Sequence, residues 1–191
     1  MSDDLARRAA ADDLLVVAGF WLDAFDRDRR RLVDAAVAAL VAGHDSPALR
    51  ELAGLYGDEE WSTVDALVLA TARELDLPRP SVSRAVRLEL VRRCRAVLAG
   101  QMSERALSVW ADSVDGPMPG DGRFPDLRTF VGFESHYLEL DSLADFPEYS
   151  DSGRTAGSRA RLEAAVREGT RRVLRSNDGV EKLLGRREHQ A

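Results

Sequence analysis

Three histidines, His44, His136 and His189, and one cysteine, Cys94, are the side chains of this 191-residue sequence best suited to metal ligation, proton transfer or nucleophilic attack. His136 and Glu139 stand three residues apart, so on a helix they share a face, and Glu134 or Asp141 can join them. Two ligands do not make a metal site. The sequence has no paired His–Glu zinc signature, no serine nucleophile elbow, no phosphate-binding loop ending in glycine–lysine and no dinucleotide glycine fingerprint. His44 lies between Gly43 and Asp45, where an imidazole at a helix C-terminus and a capping carboxylate account for both residues without catalysis. Cys94 falls on an apolar helical stripe, which suits a buried small hydrophobe better than a nucleophile. No catalytic, cofactor-binding or metal-binding residue is assigned, and no cofactor is expected. A metal-dependent or hydrolytic enzyme centred on His136 stays as one alternative.

The arginines offer a different chemistry. Residues 72–86 read as helix, turn, helix, with Pro78 and Pro80 in the turn and Ser81-Val82-Ser83-Arg84 opening the second helix. This pattern resembles the helix-turn-helix of bacterial repressors, in which the second helix enters the major groove. The resemblance implies that Ser81, Ser83, Arg84 and Arg87 face DNA while Ala72, Val82 and Val86 lock the two helices together. Three features depart from it, the first being that Pro78 and Pro80 crowd the turn. Asp76 occupies the turn position where glycine is usual, so a left-handed backbone costs more and a negative charge stands beside phosphates. The second helix also runs on to residue 99 with enough apolar side chains for a core element. At 100° per residue Arg84, Arg87 and Arg95 lie close to one face, with Arg92 and Arg93 displaced from it. Arg84, Arg87, Arg92 and Arg95 are therefore the candidate macromolecule-binding residues, whether the partner is protein or nucleic acid.

The elements that would position these side chains are helical. Leu14, Val17, Ala18, Trp21 and Phe25 recur at three and four residues, and Leu15, Val16, Phe20 and Leu22 widen the stripe nearly all round, as a central helix requires. A second helix over residues 32–41 ends at Gly43, and Ser46 with Pro47 starts a short third. Asp58, Glu59 and Glu60 put negative charge at the start of a fourth, which carries Trp61, Val64, Val68, Ala72 and Leu75. A long helix from Ser81 stops at Gly100, and Ser103 opens another with Leu107 and Trp110. The repeated glycine-then-serine joint, at Gly43 and Ser46 and again at Gly100 and Ser103, suits a duplicated hairpin but is also a generic way to join helices. Residues 112–125 and 141–157 read as two long surface loops. Between them residues 127–138 suit a helix, although Thr129 to Phe133 are β-prone. A last helix spans residues 158–175, with a further turn at Val180, Leu183 and Leu184. Trp21, Val37, Leu40, Trp61, Val68, Leu90 and Trp110 are the expected core.

Composition limits the setting. The longest apolar run, residues 14–22, is far short of the roughly 20 residues of a membrane span. Acids around Arg7 and Arg8 do not look like a secretory leader. One cysteine permits no internal disulfide, in keeping with a reducing cytoplasm. Lysine occurs once, at Lys182, against 26 arginines, a bias of high-GC bacterial coding. Net charge is −6, arranged in blocks: −8 over residues 1–77, +5 over 78–100, −7 over 101–157 and +4 over 158–191. Such alternating blocks can neutralise one another on packing, and an acidic whole disfavours phosphate binding.

Residues 38–55, with 100–110 and Phe130-Val131-Gly132, resemble a group of small helical proteins of high-GC bacteria that has no established activity. The likeness covers about residues 30–135; it implies a helical fold and brings no site with it. The expectation is thus an all-α, single-domain multi-helix bundle over residues 1–184, with a flexible tail at 185–191. Its expected role is that of an acidic cytoplasmic protein-interaction module of immunity, antitoxin or adaptor type, with no membrane partner. The helix-turn-helix regulator is the first alternative.

Overall fold

The computed structural model describes residues 2–57, 59–115, 124–145 and 152–188. Among them are eight α-helices, one short 3-10 helix and no strand, so the chain is all-α. None of the described helices is long and apolar enough to cross a membrane. Within what the sequence reads as one domain, packing gathers into two compact units, residues 1–89 and 90–191.

In the first unit α1 (Ser2–Leu22) begins with Asp3 and Asp4 at the positive end of its dipole. It buries Leu14, Leu15, Val16, Ala18, Phe20 and Trp21, the all-round burial expected of a central helix. Its first three turns were not legible as helix, because Leu5 is exposed and alanine propensity rather than a buried stripe carries them. Phe25 lies beyond the helix end, past Ala24 in the left-handed region (φ 55°). α2 (Arg29–Val41) starts on Asp28, whose carboxylate accepts the Arg31 N–H, and ends at Gly43 with φ 89°. α3 (Pro47–Ala53) has the expected cap: Ser46 Oγ accepts the Leu49 N–H at 3.2 Å. α4 (Trp61–Glu74) closes the circuit, so that α1 packs on α2 and α4, α2 on α3, and α3 on α4. Trp21, Leu32, Ala36, Leu49, Leu52, Val64 and Val68 fill the centre. Asp58, expected to support the start of α4, lies outside the described residues.

α5 (Val82–Leu98) begins in the first unit and ends in the second. Its first turn meets Gly19 of α1, where an added Cβ would stand 2.6 Å from the Ser81 carbonyl oxygen and 2.8 Å from Ala85 Cβ. In the second unit Gly100 (φ 70°) ends α5, and Ser103 Oγ accepts the Ala106 N–H at 3.2 Å to start α6 (Glu104–Asp115). A 3-10 helix (Pro125–Thr129), α7 (Phe133–Asp145) and α8 (Ser152–Glu188) follow. α6 packs on α7 and α8, α7 on α8, and α8 on the 3-10 helix, around Leu107, Ala111, Leu127, Phe130, Tyr137 and Val166.

Several expectations need correction. Val37 and Trp61 are 43% and 48% exposed, so neither is a core residue; Leu40 and Trp110 are only half-buried, while Trp21, Val68 and Leu90 are buried as expected. Val37 sits on the outer side of α2. Trp61 opens α4, and a side chain at a helix start leans back past the helix end, out of the packed layer. Residues 112–115 belong to α6, and the expected helix over 127–138 is broken at Gly132 (φ 87°), whose N–H bonds to Asp112 Oδ1 at 2.8 Å. The second expected loop shrinks from both sides, because α7 runs to Asp145 and α8 starts at Ser152. Residues 116–123 and 146–151 lie outside the described residues. α8 also continues without a break through the turn expected near residue 180.

Candidate interaction surfaces

α5 buries Ala85, Val86, Glu89, Leu90, Val91, Cys94 and Val97, which leaves a strip for its arginines. Arg84, Arg92 and Arg95 are exposed and Arg87 is half-buried. Arg84 and Arg95 are about 16 Å apart along the helix axis, at 1.5 Å per residue. Arg93 is on another side, its guanidinium 4.7 Å from the centre of the Trp110 ring. The turn before α5 shares its left-handed position with the helix-turn-helix comparison, but α4 and α5 are not one of the closely packed helix pairs. Leu77 N–H reaches the Ala72 carbonyl at 2.8 Å, and Asp76 adopts φ 53°, the left-handed conformation that glycine usually supplies. The Ser81 hydroxyl accepts the Arg84 N–H at 3.4 Å and caps α5, and Ser81 is exposed.

Among the described residues the histidines do not gather a ligand set. His136 and Glu139 are exposed, with Nδ1 and Oε2 3.6 Å apart, beside a groove of about 490 Å³ lined by Phe133, Leu140, Ser158, Arg161 and Leu162. Glu134 and Asp141, the acids that the spacing placed within reach of them, are taken by arginine. Arg105 makes a two-pronged contact to Glu134 at 3.0 and 3.3 Å and reaches Asp141, which Arg159 also holds. Arg159, and then Arg105, keep the Asp141 carboxyl below its ordinary range. These bonds pin α7 to α6 and α8, with Arg105 lying over the Tyr137 ring at 5.6 Å. Burial, reinforced by Glu163 and Glu104, pushes the Tyr137 hydroxyl up to about 12. Among the described residues no three His, Cys, Asp or Glu side chains converge as metal ligands. His44 Nε2 meets the Arg7 carbonyl oxygen at 2.9 Å and ties α1 to the end of α2; Asp45 pairs with Arg50 at 2.8 Å and is not a cap.

Cys94 is fully buried, and burial pushes its thiol up to about 12 against a smaller opposing effect of the Thr170 hydroxyl. It should therefore react with a water-soluble aromatic disulfide reagent only when the protein opens. Stopped-flow absorbance should show no modification of native protein at pH 8 on a timescale in which urea-unfolded protein is fully modified; equal rates would refute this burial.

A surface that sequence reading missed lies on the first unit. Trp61, half-exposed, packs against buried Trp21 with ring centres 5.1 Å apart, and the guanidiniums of Arg27 and Arg29 lie 5.1 and 5.4 Å from its ring. Trp21 Nε1 donates to Asp65 at 2.7 Å. Glu59 accepts the N–H groups of Tyr56 and Gly57 and pairs with Arg29, and these bonds lower its carboxyl's affinity for protons. Tyr56 itself is 96% exposed. The signal in the sequence was the run of Arg27 and Arg29 and then Tyr56 and Trp61, but only folding brings the two stretches together. No family model, curated protein or solved structure matches this chain.

Proposed function

We propose that this all-α protein is a non-catalytic, cytoplasmic protein-interaction module of immunity, antitoxin or adaptor type. The observation that carries this reading is the Trp61 surface. Tryptophan, tyrosine and arginine dominate the energetics of protein interfaces, because large rigid rings and planar guanidiniums contribute much contact for little conformational entropy. Trp61 and Tyr56 leave such area in water at the protein's surface. The Trp61 ring is already held by Trp21, Arg27 and Arg29, so little ordering is lost on docking.

The test is comparative capture from the source cell with wild-type protein and a Trp61→Ala, Tyr56→Ala variant whose circular dichroism is unchanged. A protein retained by the wild type and lost by the variant, with at least a tenfold fall in affinity when repurified, is the expected result. Retention of the same partners by both proteins overturns the Trp61 surface as the docking site.

A second reading is a helix-turn-helix DNA regulator, favoured by the left-handed Asp76 and the capped start of α5. The charge around it weighs the other way, since residues 1–89 carry a net −6. Duplex DNA is expected to bind weakly and without sequence preference at physiological salt. A sequence-selective complex that weakens steeply with salt and is lost in Arg84→Ala would promote this second reading above the first.

A further inference from the structure

The turn after α4 folds back beside that helix and encloses a groove. Leu69, Ala72, Arg73 and Asp76 follow at three and four residues and share one side of the helix and its exit. Leu77, Arg79 and Pro80 return to face them, and the space between is about 450 Å³, within the range of small-molecule sites. The left-handed Asp76 makes this return possible. Leu69, Ala72, Leu77 and Pro80 supply an apolar wall, with Pro80 buried. The exposed Arg73 and Arg79 supply two positive charges against the one negative charge of Asp76, and among the described residues neither arginine is held by a carboxylate.

A second observation lies behind the same wall. Ala72, Leu77 and Pro80 also border a small internal pocket that Thr71 lines together with Leu14, Leu15, Ala18, Leu52 and Val68. Thr71 is 1% exposed, and its hydroxyl has no hydrogen-bond partner among the described residues. A buried hydroxyl in an otherwise apolar pocket is costly to leave unbonded. Half-buried Leu77, with Ala72 and Pro80, lines both the groove and the pocket.

We propose that this groove is a binding site for a small organic monocarboxylate with an apolar, ring-sized body. The carboxylate bonds to Arg73 and Arg79, the body rests on Leu69, Leu77 and Pro80, and a polar tip reaches toward Thr71. Guanidinium–carboxylate contacts supply selection by charge, and the apolar wall supplies most of the contact area. This site is independent of the Trp61 surface and does not need it.

The probe is para-hydroxyphenylacetate, with tyramine as a counterpart of similar body and opposite charge, titrated into the full chain and followed by amide NMR. Saturable shifts at Arg73, Leu77 and Arg79 are expected for the acid, with tyramine at least about tenfold weaker. Arg73→Gln with Arg79→Gln should abolish binding of the acid while leaving the rest of the spectrum in place. Because the double variant changes exposed side chains, loss of its fold is not expected; if it does unfold, Arg79→Gln alone must weaken the acid about fivefold or more. No saturable shift with the acid, equal binding of tyramine, or acid binding unchanged by these substitutions would overturn the proposal.

Discussion

Trp21→Ala is expected to destabilise the protein by about 3–5 kcal/mol, the range for truncating a large buried aromatic. Trp21 is the largest fully buried side chain and stands where α1 meets the other helices of its unit. Removing the ring opens a cavity among Leu32, Leu49, Val64 and Val68, takes support from Trp61, and strips Asp65 of the indole N–H that bonds to it at 2.7 Å. Urea unfolding should show a midpoint far below that of the parent with little change in slope. Trp21→Phe should lie between the two, because it keeps most of the apolar volume and loses the hydrogen bond. A midpoint for Trp21→Ala within error of the parent would mean that this core is wrongly placed.

Gly19→Ala should destabilise by about 1–3 kcal/mol, the range for overpacking, even though alanine favours a helix over glycine by about 1 kcal/mol. The new methyl would stand 2.6 Å from the Ser81 carbonyl oxygen, which also accepts the Ala85 N–H at 2.9 Å. Those are backbone atoms and cannot rotate away, so α5 must move off α1. Gly157 makes the contrast. It also lies inside a helix, but nothing stands within 4 Å of an added Cβ there. Gly157→Ala should be neutral or stabilising by up to about 1 kcal/mol. Opposite signs in parallel urea titrations support the contact between Gly19 and α5; a stabilising Gly19→Ala would refute it.

The local chemistry of helix ends was open to reading because it involves residues within a few positions of one another. Gly43 and Gly100 take the left-handed backbone that stops a helix, and Ser46 and Ser103 accept the N–H three residues on. Trp21 and Leu90 were also legible as core, each lying on a stripe too apolar to face water. Periodicity names the apolar side of a helix, however, and says nothing about whether another helix covers it. Val37 and Trp61 show the difference, since both sit on apolar stripes and both meet solvent. Charge patterning had a similar limit. The sequence showed acidic and basic blocks that could neutralise one another, but the partners of Arg105 are 29 and 36 residues away, and only the packing of α6 against α7 chose them. The same pairing drew Glu134 and Asp141 away from His136, and a side chain's neighbours at that separation cannot be derived from spacing.

By itself, then, the sequence determined the helices, most of their ends and the character of their buried faces, because hydrogen bonds within four residues and a 3.6-residue period decide those locally. Tertiary structure alone decided which aromatic rings stay in water and which arginines are already paired. It also decided that the turn at Asp76 closes a groove against α4, because each of these depends on groups brought together from separate turns of the chain.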